Sequence, residues 1–380
     1  MSAPDVIIIG GGIVGAACAL ESARSGLRAT ILEAEIIGGG ATAAGMGHLV
    51  VMDDSEAQFA LTRYSVELWR AIAAEFPSDV EFPSDVEYTR SGTIWVAADE
   101  EEMNLLPAKR QYYISRGVRA EILDTRALHE AEPHLRAGLS GGLLVPDDAV
   151  IYPPCAARFL LERATALGAR LEVGRRVAEI ENNGVRFEDG TRISAGVIVN
   201  AAGNLAARLT PGAPIRGRKG HLLITDRYPG FVKHQLVELG YLKSAHSVSG
   251  DSVAFNVQPR PTGQMLIGSS RQYGNEERGV DSIILAKMLR RACEFMPELA
   301  GISSLRAWTG FRAATPDKLP LIGRWPAHDK LYLAAGHEGL GITTSMGTAK
   351  LLVDEILGRD SAIERAPYAP GRKFHESANN

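Results

Sequence analysis

The chain has 380 residues, of which 45% are hydrophobic and 23% are charged, and its formal net charge is −4. This length allows two domains or one large domain with insertions, and the composition is that of a globular protein. The net charge argues against nucleic acid as a partner, the lack of any run of about 18 apolar residues predicts no transmembrane segment, and small molecules are the expected ligands.

The three cysteines, Cys18, Cys155 and Cys293, are far apart and lack the spacing of a metal site. They predict a reducing compartment, no disulfide framework and no bound metal. The apolar N-terminus lacks the basic leader of a signal peptide. The sequence therefore predicts a cytoplasmic protein.

The N-terminal residues have the pattern of a nucleotide-binding strand, turn, helix and strand. The apolar run Val6–Ile9 predicts a buried parallel strand, and a G-x-G-x-x-G pattern follows it at once. In this pattern Gly10 permits a tight turn, Gly12 lets a pyrophosphate approach the backbone, and Gly15 allows close helix packing. Glu33 ends the second predicted strand, where a carboxylate can bind ribose hydroxyls and would repel a 2′-phosphate. This context favours a dinucleotide site over an ordinary glycine turn.

Residues 36–48 are nearly all glycine, alanine and other small residues, and the run ends at His48. Glycine is needed where the backbone passes close to a ligand, so we expect a loop that lines the cofactor rather than a flexible linker. His48 could face the reacting centre, and a structural histidine is the alternative.

The next part of the chain predicts alternating helices and strands. Residues 75–80 are repeated at once as 81–86, a copy that is too short for an architectural repeat and is expected to lie in a loop without a function of its own. The predicted elements are an amphipathic helix over 55–76, a strand over 92–97, a helix over 99–117, a strand over 141–145 and a helix over 155–167.

A predicted β-meander over 171–190 leads to a buried strand that ends in Ala201, Ala202 and Gly203, small residues that we expect to meet the cofactor. Residues 215–305 then read mainly as strands, with one helix near 283–295. This middle block is the candidate substrate domain.

A second glycine-rich junction follows a predicted strand over 331–334. Residues Gly336–Thr343 connect this strand to a predicted helix over 344–357, and the N-terminus of such a helix stabilises negative charge on a ligand. Two junctions of this kind, far apart in the chain, predict a large and elongated dinucleotide.

Four segments together resemble the FAD-dependent D-amino-acid oxidase superfamily, in its glycine oxidase and sarcosine oxidase branch. They are the N-terminal fingerprint with Glu33, the strand end Val199–Gly203, the segment Gly310–Gly323, and Gly336–Thr343. The resemblance covers nearly the whole chain. The last segment is most similar to the flavoprotein subunits of D-hydroxyproline dehydrogenase and hydrogen cyanide synthase.

The resemblance implies an α/β fold, with a Rossmann-like FAD-binding domain and an inserted α+β substrate domain that contains a mainly antiparallel sheet. The implied FAD-binding domain is discontinuous and comprises 1–88, 147–214 and 306–365. The implied substrate-binding domain comprises 89–146 and 215–305, and 366–380 form a C-terminal tail.

The resemblance also implies that FAD is reached from both ends of the chain. The expected cofactor contacts are Gly10, Gly12, Ile13, Val14 and Gly15 at the pyrophosphate; Glu33 and Ala34 at the adenosine; Val177 at the adenine; Gly40, Ala41, Thr42, Gly45, Met46 and Gly47 near the flavin; Ala201, Ala202, Gly203 and Gly310; and Gly336, Gly339, Leu340, Gly341, Ile342 and Thr343 at the flavin pyrimidine end.

Arg312 matches the arginine that binds the substrate carboxylate in glycine oxidases, with a structural salt bridge as the alternative. His48, His337 and Glu338 are the expected titratable groups, and none of them is singled out as a base. Glycine oxidases carry a second arginine at the position of Gly339. Glycine at this position favours a bulkier or ring-shaped substrate.

The implied reaction oxidises the C–N bond of a small amino acid by hydride transfer from Cα to flavin N5, as in a D-hydroxyproline or D-proline dehydrogenase. The alternatives are a glycine, sarcosine or D-amino-acid oxidase that makes hydrogen peroxide, a non-catalytic flavin subunit of a heteromeric dehydrogenase, and a NAD-dependent enzyme with the same fingerprint. A dehydrogenase would need partner subunits or another electron acceptor, because the chain has no cysteine cluster for an iron–sulfur centre.

Overall fold

The computed structural model describes residues 3–76, 83–240 and 251–374. Residues 77–82, which form the middle of the tandem copy, lie outside the described residues. Within the described ranges no helix is both long enough and apolar enough to cross a membrane.

A six-stranded sheet contains the predicted N-terminal strand at its centre. Its order is β18-β19-β12-β1-β2-β8, and all neighbours are parallel except the antiparallel pair β18 and β19. The strands are β1 (Val6–Ile9), β2 (Ala29–Glu33), β8 (Arg170–Val173), β12 (Val197–Asn200), β18 (Leu321–Arg324) and β19 (Leu331–Ala335).

Both faces of this sheet are covered, which explains the continuous apolar run of β1. Val6 and Ile8 pack in a core with the helices α1 (Ile13–Arg24), α7 (Pro153–Ala166) and α10 (Gly341–Ile356). Ile7 and Ile9 instead pack against the predicted β-meander, which consists of β9 (Val177–Glu181), β10 (Gly184–Phe187) and β11 (Arg192–Ser194).

A second sheet has eight strands in the order β17-β13-β16-β15-β14-β4-β6-β5. Its pairs are antiparallel except for the parallel pair β14 and β4. The strands are β4 (Thr93–Ala97), β5 (Glu121–Asp124), β6 (Gly141–Val145), β13 (Arg216–Thr225), β14 (Gln235–Glu238), β15 (Ser252–Pro259), β16 (Met265–Arg271) and β17 (Ser304–Ala314).

One face of the large sheet packs against helix α9 (Ser282–Phe295). Leu236, Phe255 and Phe295 belong to the apolar core between them, and the rings of Phe255 and Phe295 stack with centroids 4.5 Å apart. The other face is therefore the one that can meet the nucleotide-binding part of the chain.

Short elements connect the two sheets. A two-stranded ladder pairs β3 (His48–Leu49) with β7 (Ala149–Val150) in antiparallel register. The remaining helices are α2 (Gly40–Ala44), α3 (Glu56–Ala74), α4 (Glu100–Met103), α5 (Leu106–Ile114), α6 (Thr125–Ala131) and α8 (Ala206–Leu209).

Two local predictions differ from the structure. The continuous helix predicted over 99–117 is divided into α4 and α5, because Pro107 lacks an N–H and is accommodated only in the first turn of a new helix. The run of small residues predicted as a loop contains the short helix α2 and the strand β3.

The division into two domains stays a prediction. The boundary predicted at residue 306 falls inside β17, which forms an edge of the large sheet.

Candidate active site

The turn after β1 has no room for side chains at two of its glycines. Gly10 has a φ of +108°, and a Cβ atom there would lie 2.7 Å from the carbonyl oxygen of Ala201. A Cβ atom at Gly15 would lie 1.9 Å from the carbonyl oxygen of Gly10. The turn is therefore tight and the helix packs directly on the strand, as the glycine pattern predicts.

Glu33 is fixed beside this turn by two backbone N–H groups. Its Oε2 atom accepts a hydrogen bond of 2.7 Å from Gly11 N, and its Oε1 atom accepts one of 2.8 Å from Glu35 N. These bonds place the carboxylate at the carboxyl end of β2, which is the position expected for a contact with the ribose.

The first turn of α1 lies next to a buried hydroxyl. Thr42 Oγ1 accepts a hydrogen bond of 3.1 Å from Ile13 N, which leaves the hydroxyl hydrogen of Thr42 available for an acceptor such as a phosphate oxygen. The N-cap residue of α1 is Gly12, which has no side chain that could occupy the space in front of the helix N-terminus. This arrangement fits a pyrophosphate at the helix N-terminus.

The two glycine-rich junctions meet in space. An added Cβ at Gly341 would lie 3.8 Å from Val14, and one at Gly45 would lie 3.0 Å from Ile342. Gly310 lies directly against α2, since a Cβ atom added to it would lie 2.2 Å from the side chain of Ala44. Segments that are some 300 residues apart in the sequence therefore form one surface of small residues.

Hydrogen bonds order the other segments predicted to contact the cofactor. Asn200 donates from Nδ2 to Ala206 O and Thr210 Oγ1, each at 2.9 Å, and its Oδ1 accepts from Ala202 N. Thr343 Oγ1 donates to His48 O at 2.8 Å and so connects the start of α10 to β3. Val177 packs beside Leu32 in the core under the meander.

A cavity of about 100 Å³ lies between the start of α10 and the large sheet. Four cationic and two anionic side chains line it: Arg218, Arg271, Arg312 and Lys318, with Asp54 and Glu338. Gly339 and Leu340, which were predicted at the flavin, also line this cavity. The cavity is therefore next to the predicted flavin site and is positively charged.

Arg312 lies on β17 directly opposite Arg218 of β13. Its Nη1 atom donates a hydrogen bond of 2.9 Å to Ser270 O. A Cβ at Gly220 would lie 2.3 Å from Nη1, and a Cβ at Gly339 would lie 3.4 Å from Nε. The guanidinium group thus lies between two glycines, and any side chain at Gly220 would displace it.

Glu338 forms an ion pair with Arg218, and their side chains are 11% and 6% exposed. The residue has a left-handed φ of +54°, and its N–H donates to Ala313 O at 2.8 Å. Its carboxylate offsets the repulsion between the two cross-strand arginines. The ion pair with Arg218 is the contact that the structure shows for this carboxylate, and a catalytic role of Glu338 stays a prediction.

The two candidate histidines are in different places. His48 lines the cavity, and burial lowers its pKa to about 3, so the ring is uncharged at neutral pH. His337 is also buried with a pKa lowered to about 3, and its Nε2 atom lies 3.0 Å from Thr348 Oγ1 within α10. His337 is not a lining residue of the cavity that Arg312 lines. His337 therefore lies apart from Arg312, and a catalytic role of this histidine stays a prediction.

Several lining residues were missed by the sequence analysis. Arg218, Arg271, Gln235 and Asn256 come from the middle block, and Lys318 lies in the turn after β17 with a left-handed φ of +64°. Asn256 interrupts an apolar run in β15, so an isolated polar residue was the available signal there, whereas Gln235 begins the short strand β14 and gives no such signal. The arginines carry no comparable signal, because the chain contains 41 lysines and arginines.

Comparison with known proteins identifies a matching family model and solved structures with a similar fold. Residues 5–355 match the family model DAO, FAD dependent oxidoreductase. The glycine oxidase of Geobacillus kaustophilus is 29% identical over 374 residues, covering 96% of each chain. A crystal structure of glycine oxidase from the same organism superimposes with a TM-score of 0.86, at 26% identity, over 98% of this chain and 99% of that one.

Two further proteins that are similar to this chain carry names other than glycine oxidase. Hydrogen cyanide synthase subunit HcnC of Pseudomonas aeruginosa is 26% identical over 435 residues, covering 98% of this chain and 97% of HcnC. L-proline dehydrogenase from P. horikoshii has the same fold, with a TM-score of 0.86 at 23% identity over 97% of each chain.

These comparisons confirm the predicted superfamily, the fold class and the cofactor, and they favour FAD over the alternative of NAD. The glycine turns, the glycine at the N-cap of α1 and the surface of small residues provide a physical basis for the same cofactor. The chain belongs to the DAO family of FAD-dependent oxidoreductases.

Proposed function

We propose that this protein oxidises the C–N bond of a small amino acid, and that the substrate is D-hydroxyproline, D-proline or a similar cyclic amino acid. The observation that carries the proposal is Arg312, which lies beside the start of α10 in the wall of a cavity large enough for only a small ligand. The names of glycine oxidase and L-proline dehydrogenase support an amino acid as the substrate.

Arg312 is proposed to bind the substrate carboxylate. A guanidinium group forms two parallel hydrogen bonds to a carboxylate, which sets both the position and the direction of Cα. Gly220 and Gly339 leave room for this group on either side. FAD, when bound, supplies the hydride acceptor, so the chain needs mainly to orient the substrate.

His48 is proposed to assist at the amine. Its Nε2 atom is buried and has no hydrogen-bond partner among the described residues. Because the ring is neutral at physiological pH, it can accept a hydrogen bond from an amine N–H without adding a positive charge.

The electron acceptor of the reduced enzyme is proposed to be a partner subunit or another acceptor rather than dioxygen. HcnC is named as a subunit, and the start of α10 in this chain has the sequence predicted to be most similar to such subunits. The alternative, an oxidase, predicts one hydrogen peroxide formed for each substrate consumed.

The decisive experiment is anaerobic reduction of the purified, FAD-loaded protein. Flavin absorbance is expected to bleach with D-hydroxyproline and D-proline, and less readily with glycine, sarcosine and D-alanine. Admission of air with a peroxide assay then separates a dehydrogenase from an oxidase. If none of these five amino acids bleaches the flavin, the alternative of a non-catalytic flavin subunit takes the place of this proposal.

The role of Arg312 is tested by Arg312→Lys. Loss of a charge-assisted hydrogen bond is expected to cost about 1.5 to 3 kcal/mol, so kcat/KM should fall roughly 10- to 150-fold. The control is Arg290→Lys on the exposed side of α9, which should leave kcat/KM unchanged. An unchanged kcat/KM in Arg312→Lys for every amino acid would contradict the carboxylate role.

A further inference from the structure

The pairing of β13 with β16 is interrupted close to Arg312. The two strands are in register at Leu223 and Ile267, and the chain segments meet again at the bridge between Lys219 and Gln272. Between these two points one residue more lies on the side of β16 than on the side of β13. The extra residue makes a β-bulge, which is a feature that changes the direction of individual groups of a strand.

Ser270 lies in this bulge and is buried. Its carbonyl oxygen accepts the hydrogen bond of 2.9 Å from Arg312 Nη1. Its hydroxyl oxygen accepts a hydrogen bond of 2.9 Å from His221 N, a donor that a regular ladder would direct to a carbonyl oxygen of β16. The bulge thus leaves a carbonyl oxygen of β16 free to accept from the guanidinium group.

The imidazole ring of His221 makes a second bond to the same hydroxyl. Its Nδ1 atom lies 2.9 Å from Ser270 Oγ, and its Nε2 atom accepts a hydrogen bond of 3.0 Å from the N–H of Asp281, the N-cap residue of α9. Burial, the largest effect, lowers the pKa of His221, so the ring is neutral at neutral pH. Because Nε2 accepts, the hydrogen of the neutral ring is assigned to Nδ1 and is donated to Ser270.

His221 lies on the face of the large sheet that is opposite to the cavity. Side chains alternate along β13, and His221 therefore shares the face of Leu223, which packs in the core against α9. Gly220 has the other orientation and lies next to the guanidinium group of Arg312. The imidazole ring can therefore act on Arg312 through Ser270, and it does not itself touch the substrate.

We infer that His221 is a positioning residue for substrate binding, because it holds Ser270 in the bulge and so fixes the carbonyl oxygen that orients the guanidinium group of Arg312. This inference rests on the proposed function, since it takes Arg312 as the group that binds the substrate carboxylate. A guanidinium group must keep one orientation to form two parallel hydrogen bonds. A displaced Ser270 therefore weakens the binding of any carboxylate.

Two amide substitutions separate the two bonds of the ring. In His221→Asn the amide is near the position of Nδ1 and can still donate to Ser270, whereas in His221→Gln it is near the position of Nε2 and can accept only from Asp281. His221→Gln should raise KM for D-proline about 3- to 10-fold, as expected for the loss of one hydrogen bond. His221→Asn should keep the native KM.

Acetate provides a measurement that needs no turnover. It has a carboxylate and no amine, so the perturbation of the flavin spectrum by acetate reports on the carboxylate site alone. In His221→Gln the dissociation constant of acetate should rise by the same factor as KM, while the FAD content stays native. The control is His129→Gln at an exposed position of α6, which should match the native protein in all three measurements.

Ser270→Ala tests the same connection without a change in α9, and it does so even where a His221 variant does not fold. This variant removes the hydroxyl group and keeps the carbonyl oxygen, and it should bind acetate at least as weakly as His221→Gln. The double variant should bind acetate no more weakly than Ser270→Ala, because the imidazole acts through the hydroxyl. Native affinity in Ser270→Ala, or additive effects in the double variant, would overturn the inference.

Other outcomes separate this inference from the proposed function. If Arg312→Lys weakens acetate binding while His221→Gln and Ser270→Ala bind acetate like the native protein, only the positioning role fails. An equal rise of KM in His221→Asn and His221→Gln would assign the ring to the packing of α9 and would also overturn that role. If Arg312→Lys itself binds acetate like the native protein, the carboxylate role of Arg312 and this inference fail together.

Discussion

Asp148 is a buried carboxylic acid close to the strand segment that leads into the cavity. It is 1% exposed, and its Oδ1 atom accepts a hydrogen bond of 3.3 Å from Val51 N. Burial raises the pKa of this carboxyl group from 3.8 to about 7. The folded protein therefore binds a proton at Asp148 over a pH range in which the unfolded chain has released it.

This shift makes the effect of Asp148→Asn depend on pH. Below the unfolded pKa of 3.8 both side chains are neutral, whereas above about pH 7 the native protein contains a buried carboxylate. The free energy of unfolding of Asp148→Asn, relative to native, should therefore rise by a few kcal/mol, to order of magnitude, between pH 4 and pH 8.

Chemical denaturation at several pH values measures this difference directly. The lowered pKa values of His48 and His337 destabilise both proteins equally as the pH falls below 6.5, so they cancel in the comparison. A difference between the two proteins that is constant from pH 4 to pH 8 would contradict the raised pKa of Asp148.

The sequence predicted residues that belong to a motif of adjacent positions. It missed residues that become neighbours only when strands pair in the sheet. The positions of Gly10 and Gly15 follow from a pattern of adjacent residues, and the structure shows the close contacts that require glycine. Gln235 and Asn256 come together only through strand register. No local spacing in the sequence encodes that register.

Two glycines on neighbouring strands lie against different parts of the predicted site. Gly310 of β17 contacts Ala44 of α2, and Gly220 of β13 contacts the guanidinium group of Arg312. The two glycines are paired in the β13–β17 ladder. A methyl group at Gly310 therefore disturbs Ala44, whereas a methyl group at Gly220 disturbs Arg312, although the two positions are neighbours in the sheet.

Gly310→Ala is expected to weaken FAD binding, because the added Cβ would lie 2.2 Å from Ala44 and would move α2 away from β17. Gly220→Ala should keep FAD but raise KM at least several-fold, because it displaces Arg312 from its position. Flavin content after gel filtration and steady-state kinetics measure the two effects. The prediction is wrong if the two variants change flavin content and KM in the same way.

At the element scale the apolar and small residues predicted most of the architecture. The helix predicted over 55–76 is found at Glu56–Ala74, where the Ser55 side chain accepts a hydrogen bond from Gln58 N. Strand β14 was missed, since only two apolar residues lie between its polar ends. Helix α2 was missed because five small residues have no amphipathic pattern.

The charge of the whole molecule is distributed unevenly. The formal net charge is −4, yet the cavity is lined by four cationic side chains and two carboxylates. Burial, the largest effect, lowers the pKa of Lys318, with Arg271 and Arg218 acting in the same direction and Asp54 opposing them. The sequence did not predict the cationic lining of the cavity. The cationic residues belong to β13, β16, β17 and the turn after β17, and they become neighbours only when the large sheet is complete.

A cationic cavity in an anionic protein should attract a simple carboxylate such as acetate over a distance, whereas a zwitterionic amino acid has no net charge. The Debye length falls from about 30 Å at 0.01 M to about 3 Å at 1 M ionic strength. We therefore expect the affinity for acetate, measured from the perturbation of the flavin spectrum, to fall over this range, while kcat for an amino acid changes little.

Lys318→Gln tests the origin of this attraction. Removal of one cationic group from the cavity wall should lower the affinity for acetate at low salt and flatten its dependence on ionic strength. Lys287→Gln, on the exposed side of α9, has the same change in net charge and should keep the native salt dependence. If both variants respond to salt alike, the attraction comes from the overall charge of the protein, and the cationic lining of the cavity does not direct the carboxylate to Arg312.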